Sequence, residues 1–320
     1  MIWTNLQTLI AKSNSFVISS HVSHDADNIG SQLALFWYLT SLGKEVYIYN
    51  VDEVPRKFRF YKNIDKISRI EPTRKFDVLA VLDSSNIGRT GWEGAESFAD
   101  SYIDIDHHRD NSLFGTVSCV DTSAAATCQI IYRFFNETGI DFPDYVGEAL
   151  FGGILSDTGG FQFNNTTSEI FDIASSLVKM GVDSAKIYKK LYASNTIEGL
   201  TARSIISSTL KFYNSNTIGV VYMEDGLLES LGADRGDIEG LSDLGLKAEG
   251  VEVSIFAKQV GDDVRFSLRS AGAIDVGAIA ATFSGGGGHR AAAGCTDTNT
   301  TLEAAIPLAI EKISKEIDRC

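Results

Sequence analysis

The chain has 320 residues, 44% of them hydrophobic and 22% charged, a balance that excludes a disordered chain and is long enough for two domains with separate cores. Its net charge of -14 and pI near 4.8 exclude a surface that coats long nucleic acid, which needs many Lys and Arg against successive phosphates. No basic leader opens it and no apolar run approaches membrane-spanning length, so the expectation is a cytoplasmic protein with no membrane partner.

Phe16-Val17-Ile18 predicts a buried strand that delivers His21-Val22-Ser23-His24-Asp25-Ala26-Asp27-Asn28-Ile29-Gly30-Ser31. Carboxylates as close as Asp25 and Asp27 repel unless a cation lies between them, although Asp27 also suits the N-cap of a helix starting near Ile29. A calcium loop is excluded, because its fifth and twelfth positions hold Ile29 and Phe36. The helix ends near Gly43, and Val46-Tyr47-Ile48-Tyr49 predicts the next strand. Val78-Leu79-Ala80-Val81-Leu82 then runs into Asp83, and Tyr102-Ile103-Asp104-Ile105 into Asp106-His107-His108-Arg109. Strand, helix, strand predicts a parallel sheet, and His21, Asp83 and His107 each lie just past a strand end, where such sheets bind ligands.

Helices are predicted at 124–136 and 145–155, with a break at Ser156-Asp157-Thr158-Gly159-Gly160 that can turn Asp157 into a pocket, and again from 166 to 183. Ile187 to Phe212 keeps helical spacing and serves as a connector. Strands follow at 217–223, 251–257 and 264–270, the last two forming a hairpin around Gly261-Asp262-Asp263. A short helix from Val276 to Phe283, a loop Gly285-Gly286-Gly287-Gly288-His289-Arg290 and a helix from Leu302 to Ile317 close the chain. The predicted class is therefore α/β: an N-terminal, mostly parallel sheet flanked by helices (1–185), a helical connector (186–213), and a smaller α/β domain with a mixed sheet (214–320).

All five histidines, His21, His24, His107, His108 and His289, fall in the stretches already singled out, which scattered surface residues would not do. His21, Asp25, Asp27, Asp83, His107 and Asp157 supply imidazole and carboxylate but no thiolate, a set for Mn²⁺, Mg²⁺ or Fe²⁺ and less selectively Co²⁺ or Zn²⁺. Six ligands are too many for one catalytic ion with open positions, whereas two ions about 3.5 to 4 Å apart use them naturally. In the second half, the glycines let backbone approach a ligand, and His289, Arg290, Arg269 and Ser270 add donors for phosphate. Cys119, Cys128, Cys295 and Cys320 lack Cys-x-x-Cys spacing and are expected as reduced thiols.

These residues resemble the DHH phosphoesterase family, named for the triplet seen here as Asp106-His107-His108. The motifs His21-x-x-x-Asp25-x-Asp27-x-x-Gly30-Ser31, Asp83, Asp106-His107-His108-Arg109 and Ser156-Asp157-Thr158-Gly159 stand in order, followed by Ser267-Leu268-Arg269-Ser270 and Gly286-Gly287-Gly288-His289, so the likeness spans nearly the whole chain. The resemblance implies one metal on His21, Asp25 and Asp83 and another on Asp27, Asp83, His107 and Asp157, with Mn²⁺ first and Mg²⁺, Co²⁺ or Fe²⁺ admitted. It implies substrate contacts from Arg109, Arg269, Ser270 and His289, alongside Gly286, Gly287, Gly288 and Arg290. It further implies hydrolysis of short oligoribonucleotides and of 3′-phosphoadenosine 5′-phosphate, with no long nucleic acid as partner and a homodimer allowed. His108 is the candidate for orienting the scissile phosphate or protonating the leaving oxygen, with Asp106 supporting it. The rival readings are a linear di-adenylate hydrolase, a pyrophosphatase and a non-catalytic nucleotide or RNA-binding module. His24 stands where relatives carry Pro, and its role stays open.

Overall fold

The computed structural model describes residues 2–318, and the chain divides into two compact units between Ser194 and Asn195. In the first, α1 (Ile2–Lys12) leads to β1 (Ser15–Ser20), α2 (Ala26–Ser41), β2 (Glu45–Tyr49), β3 (Ile67–Ser68), β4 (Phe76–Leu82), β5 (Ala99–Asp106) and β6 (Val117–Val120), and then to α3 (Thr127–Thr138), α4 (Asp144–Asp157), α5 (Ser168–Met180) and α6 (Ser184–Tyr192). The strands pair in parallel in the order β3-β2-β1-β4-β5-β6. Phe16, Val17, Ile18 and Val78 through Leu82 are buried on both faces of the sheet, which is why these runs read as continuously apolar rather than alternating. β3 and β6 lie at the two edges and are too short to announce themselves in the sequence.

The strand order reverses between β1 and β4, so the crevice beyond their carboxyl ends is the switch point where open sheets of this kind bind ligands. Two glycines bring helices close behind it. A Cβ on Gly30 of α2 would overlap Ala149 O of α4, and one on Gly153 of α4 would overlap Cys128 Sγ and come 2.7 Å from Asp27 Oδ1. α4 therefore lies directly against the turn that holds Asp27.

The stretch 186–213 is helical in two pieces, α6 in the first unit and α7 (Ile197–Ser208) in the second, where Thr196 Oγ1 caps α7 by accepting from Gly199 N at 2.8 Å. The second unit continues with β7 (Lys211–Tyr213), β8 (Ile218–Met223), α8 (Leu227–Leu231), β9 (Val253–Val260), β10 (Asp263–Ser270), α9 (Val276–Ala280), β11 (Ser284–Gly288), β12 (Ala292–Asp297) and α10 (Leu302–Ile317). Its mixed sheet runs β11-β12-β10-β9-β8-β7, with β8 and β9 parallel and the other pairs antiparallel. Ile255, Phe266, Leu268, Ile279 and Ile313 fill its core.

The glycine stretch, predicted as a loop, is an edge strand. β11 pairs antiparallel with β12 through Gly287 and Gly294 and through Gly288 and Ala293. Cys119, Cys128 and Cys295 are free and buried, while Cys320 lies outside the described residues. Among the described residues no helix is long and apolar enough to cross a membrane.

Candidate metal centre

β1 and β4 end side by side, so the next residue of each, His21 and Asp83, meet with His21 Nε2 3.4 Å from Asp83 Oδ2. His107, just past β5, brings its Nε2 to 3.4 Å from the other oxygen, Asp83 Oδ1. Each imidazole is anchored at its far nitrogen, His21 Nδ1 lying 2.7 Å from Val22 O and His107 Nδ1 3.4 Å from Ala124 O. A carbonyl can only accept, so Nδ1 carries the hydrogen and Nε2 points into the cluster, as in metal-ligating imidazoles. Asp83 has φ +54°, a left-handed conformation Asp tolerates, and its Oδ1 accepts from Thr127 Oγ1 at 3.0 Å.

Asp25, not Asp27, is the N-cap of α2. Its Oδ1 accepts from Asp27 N at 3.0 Å and Asn28 N at 2.9 Å, while its Oδ2 faces His21 Nε2 at 3.5 Å. The helix starts earlier than the apolar pattern suggests, which leaves Asp27 inside its first turn, fully buried. There Asp27 accepts from Thr127 N at 2.6 Å and Cys128 N at 2.8 Å, open donors at the start of α3 that no α3 side chain caps. Asp157 is the last residue of α4, with Oδ2 3.3 Å from His107 Nε2. A carboxylate opposes the helix dipole at that end, so local helix energetics do not account for it.

Among the described residues, three groups of side chains could each hold a metal ion: His21, Asp25 and Asp83; Asp27, His107 and Asp157; and Asp83, His107 and His108. The donor chemistry fits a hard or borderline divalent ion. Burial and the repulsion of Asp83 and Asp157 raise Asp27 well above the carboxylate range, and burial, with repulsion from Asp25 and Asp83, raises Asp157 to about 7. Burial opposes charge on the imidazoles, yet Asp25 and Asp83 drive His21 up to about 11, and Asp157 and Asp83 drive His107 up to about 12. Burial likewise opposes ionisation of Asp83, but His107 and His21 hold it below the usual range. The carboxylates thus demand positive charge at both Nε2 positions, which a divalent cation supplies. Cys128 is no competitor for it, since burial and Asp27 keep it a thiol, donating to Asp27 O at 3.5 Å.

His108 stands beside this set, its Nδ1 2.7 Å from Asp106 Oδ1 and 3.7 Å from Asp83 Oδ1. Asn111 Nδ2 donates to the other oxygen, Asp106 Oδ2, at 2.7 Å, so the carboxylate that orients the ring is itself held. Arg109, next along, is exposed. His24 is buried, with Nδ1 3.3 Å from Asn28 Oδ1 and Nε2 3.3 Å from Asp52 O, and Asn28 Nδ2 lies 3.1 Å from His21 Nε2. Asn28, Thr127 and Asn111 are neighbours of the site that residue type and spacing do not reveal.

In the second unit, Arg269 is half-buried on β10, its Nε 3.5 Å from Asp243 Oδ1. Lys258 on β9 pairs across the sheet with Arg265, and burial together with Arg235, Arg265 and Arg269 lowers its pKa, so these cations crowd one region. Ser270 Oγ accepts from Gly272 N at 3.0 Å. Of the glycines, Gly286 and Gly288 are required by packing: a Cβ would overlap Ala280 O at the first and lie 2.5 Å from Ala293 Cα at the second, whereas Gly287 is open. His289 is exposed, its N–H bonded to Ala292 O at 2.8 Å. Arg290 is engaged with backbone, Nε donating to Gly272 O at 3.2 Å and Nη2 to Ala273 O at 2.7 Å. Arg290→Ala should therefore cost about 1 kcal/mol of stability, with Arg290→Lys recovering little because a point charge cannot span both carbonyls. Denaturant midpoints check this, and an unchanged midpoint would mean the pair contributes nothing.

A model of the DHH family N-terminal domain matches residues 15–154, and a model of the DHHA1 domain matches residues 216–319. A Thermus thermophilus protein named bifunctional oligoribonuclease and PAP phosphatase NrnA is 33% identical over 317 residues, covering 98% of this chain and 93% of its own. The Bacillus subtilis protein of the same name is 25% identical, covering 98% and 99%. Among solved structures, an exopolyphosphatase-related protein from Bacteroides fragilis superposes with a TM-score of 0.90 at 26% identity, covering 98% of this chain and 95% of that one.

Proposed function

The chain belongs to the DHH family of phosphoesterases, and from that premise we propose that it hydrolyses short oligoribonucleotides to mononucleotides and 3′-phosphoadenosine 5′-phosphate to AMP. The observation that carries the reading is Asp83, whose two carboxylate oxygens face the Nε2 atoms of two different imidazoles, each turned inward by a backbone carbonyl. We assign one ion to His21, Asp25 and Asp83 and a second to Asp27, Asp83, His107 and Asp157, with Mn²⁺ first and Mg²⁺, Co²⁺ or Fe²⁺ as substitutes. Ions held by these residues would supply positive charge against the phosphoryl oxygens and would lower the pKa of water so that hydroxide is available as the nucleophile near neutral pH.

The remaining steps belong to side chains. His108, held at Nδ1 by Asp106, leaves Nε2 to orient the scissile phosphate or donate to the leaving oxygen. Arg109 meets the substrate beside it. We also assign Arg269, Ser270, His289 and the open Gly287 of the second unit to substrate binding, and the cations near Arg269 support an anionic ligand there. Buried free thiols support a reducing, cytoplasmic setting, and sedimentation decides whether a homodimer forms.

The test is release of mononucleotide or phosphate, with Mn²⁺, from short RNAs, linear di-adenylate and 3′-phosphoadenosine 5′-phosphate. Hydrolysis of di-adenylate in strong preference to the other two would shift the assignment. Binding groups for one scissile phosphate and about one more nucleotide predict that affinity saturates after about two to four nucleotides, and an acidic chain repels a longer strand. On RNAs of two to about twenty-four nucleotides, kcat/KM should fall with length, more steeply at low salt. Efficiency that rises with length would contradict the assignment.

A further inference from the structure

Resting on that reading of the site as one that processes nucleotides, we propose that Phe163, Tyr188 and Tyr192 form a stacking platform for a nucleobase next to the metal centre, within the first unit. All three are large apolar side chains left in solvent, 60%, 50% and 43% exposed. They converge on the backbone to either side of Asp157. Tyr192 Oη donates to Leu155 O at 3.2 Å, and Gly160 N donates to the same carbonyl at 2.8 Å. Phe163 folds over Gly159, where a Cβ would come 2.5 Å from its ring, and Tyr188 lies against Gly160, 3.9 Å from where a Cβ would stand. Gly159, Gly160 and Phe161 all have positive φ, a tight winding fastened where Asn165 Nδ2 donates to Asp157 O at 3.0 Å. The same peptide segment therefore fixes both the candidate ligand and the aromatic rings.

The composition of α6 identifies the occupant. In a chain with 42 acidic and 28 basic residues, its nine residues, SAKIYKKLY, include three lysines and two tyrosines and no acid. Tyr188 and Tyr192 are four apart on one helix face, ring centroids 5.1 Å apart, and Lys189 is one position from the first and three from the second. Lys186 pairs with Glu148, while Lys189 and Lys190 stay exposed. Exposed rings interleaved with cations are what bases and phosphates of a single strand require, since any base offers a π face. A protein partner would also use exposed aromatics, but the position beside a phosphoesterase centre and the local positive charge favour a nucleotide.

The test compares AMP with ribose 5-phosphate, which lacks the base, by titration calorimetry on the full chain with its metal, together with turnover of a two-nucleotide RNA and of its abasic counterpart. In the wild type AMP should bind about tenfold or more tighter than ribose 5-phosphate, and Tyr188→Ala and Phe163→Ala should each remove most of that preference while leaving ribose 5-phosphate unchanged. Tyr188→Phe should retain it, because the ring and not the hydroxyl stacks. Turnover should follow the same pattern, with KM raised for the RNA and unchanged for the abasic substrate. An unaltered preference in both alanine variants would overturn the platform. So would equal weakening of both ligands, the mark of a contact that supports the fold or another protein. Calorimetry is read apart from turnover, so a wild type that cleaves no phosphoester would contradict the proposed activity while the base preference still decides the platform.

Discussion

Asp83→Asn should lower kcat/KM by about 10³-fold or more with Mn²⁺ present, the size expected when a ligand shared by two ions loses its charge and several kcal/mol of transition-state stabilisation go with it. The substitution isolates that effect. Asn tolerates the φ of +54° at this position as Asp does, and its amide oxygen can still accept from Thr127 Oγ1. The fold should therefore persist, as judged by circular dichroism and thermal unfolding. His21 and His107 face different oxygens of Asp83, so a single neutralisation should weaken both ions, whereas Asp25→Asn should disturb chiefly one. Near-normal turnover of Asp83→Asn would remove the shared ligand from the proposal.

Gly153→Ala, a change of one methyl group outside the ligand set, should destabilise the protein by about 1–3 kcal/mol and also reduce activity. The added Cβ would overlap Cys128 Sγ and come 2.7 Å from Asp27 Oδ1 and 3.0 Å from Asp27 Cα, with no solvent-facing side chain free to yield. Relief requires either the start of α3 or Asp27 to move, and those two are joined by the hydrogen bonds from Thr127 N and Cys128 N. Adding Cys128→Ala removes the worse clash but leaves Asp27 crowded, so the double variant should recover part of the stability and less of the activity. A double variant no more stable than the single would show that the sulfur is not the obstacle. Melting curves and steady-state rates on the same preparations decide it.

The parts of this molecule that could be read from residues alone are those where local and global signals agree. The runs ending at Leu82 and Ile105 are long enough, and buried on enough sides, to read as strands, and chain polarity then places Asp83 and His107 at their carboxyl ends. Where structure is decided by distant neighbours, the signal vanishes. β12 is AAGCTD, with hardly a large apolar side chain, and is a strand only because β10 and β11 flank it. β11 is mostly glycine and reads as a loop, yet the carbonyl of Ala280 leaves no room for a Cβ at Gly286. Thr127 supports Asp83 from 44 residues away, and a threonine after three alanines carries no mark of that duty. Asp27 is the instructive case: its type and position suit an N-cap, but α2 begins early, Asp25 takes the cap, and Asp27 is buried to cap a different helix. Arg290 shows the converse, a cation beside a glycine run that suggests a phosphate contact, whose bonds to Gly272 O and Ala273 O carry no mark in the sequence.

The proposal of two ions joined through Asp83 is tested most directly by metal content. Protein stripped with chelator, reloaded with Mn²⁺ and freed of excess should carry two ions per chain by elemental analysis, with the paramagnetic signal of a coupled pair; Asp83→Asn should carry fewer and lose the coupling. One ion per chain in the wild type, with the same content in Asp83→Asn, would contradict it.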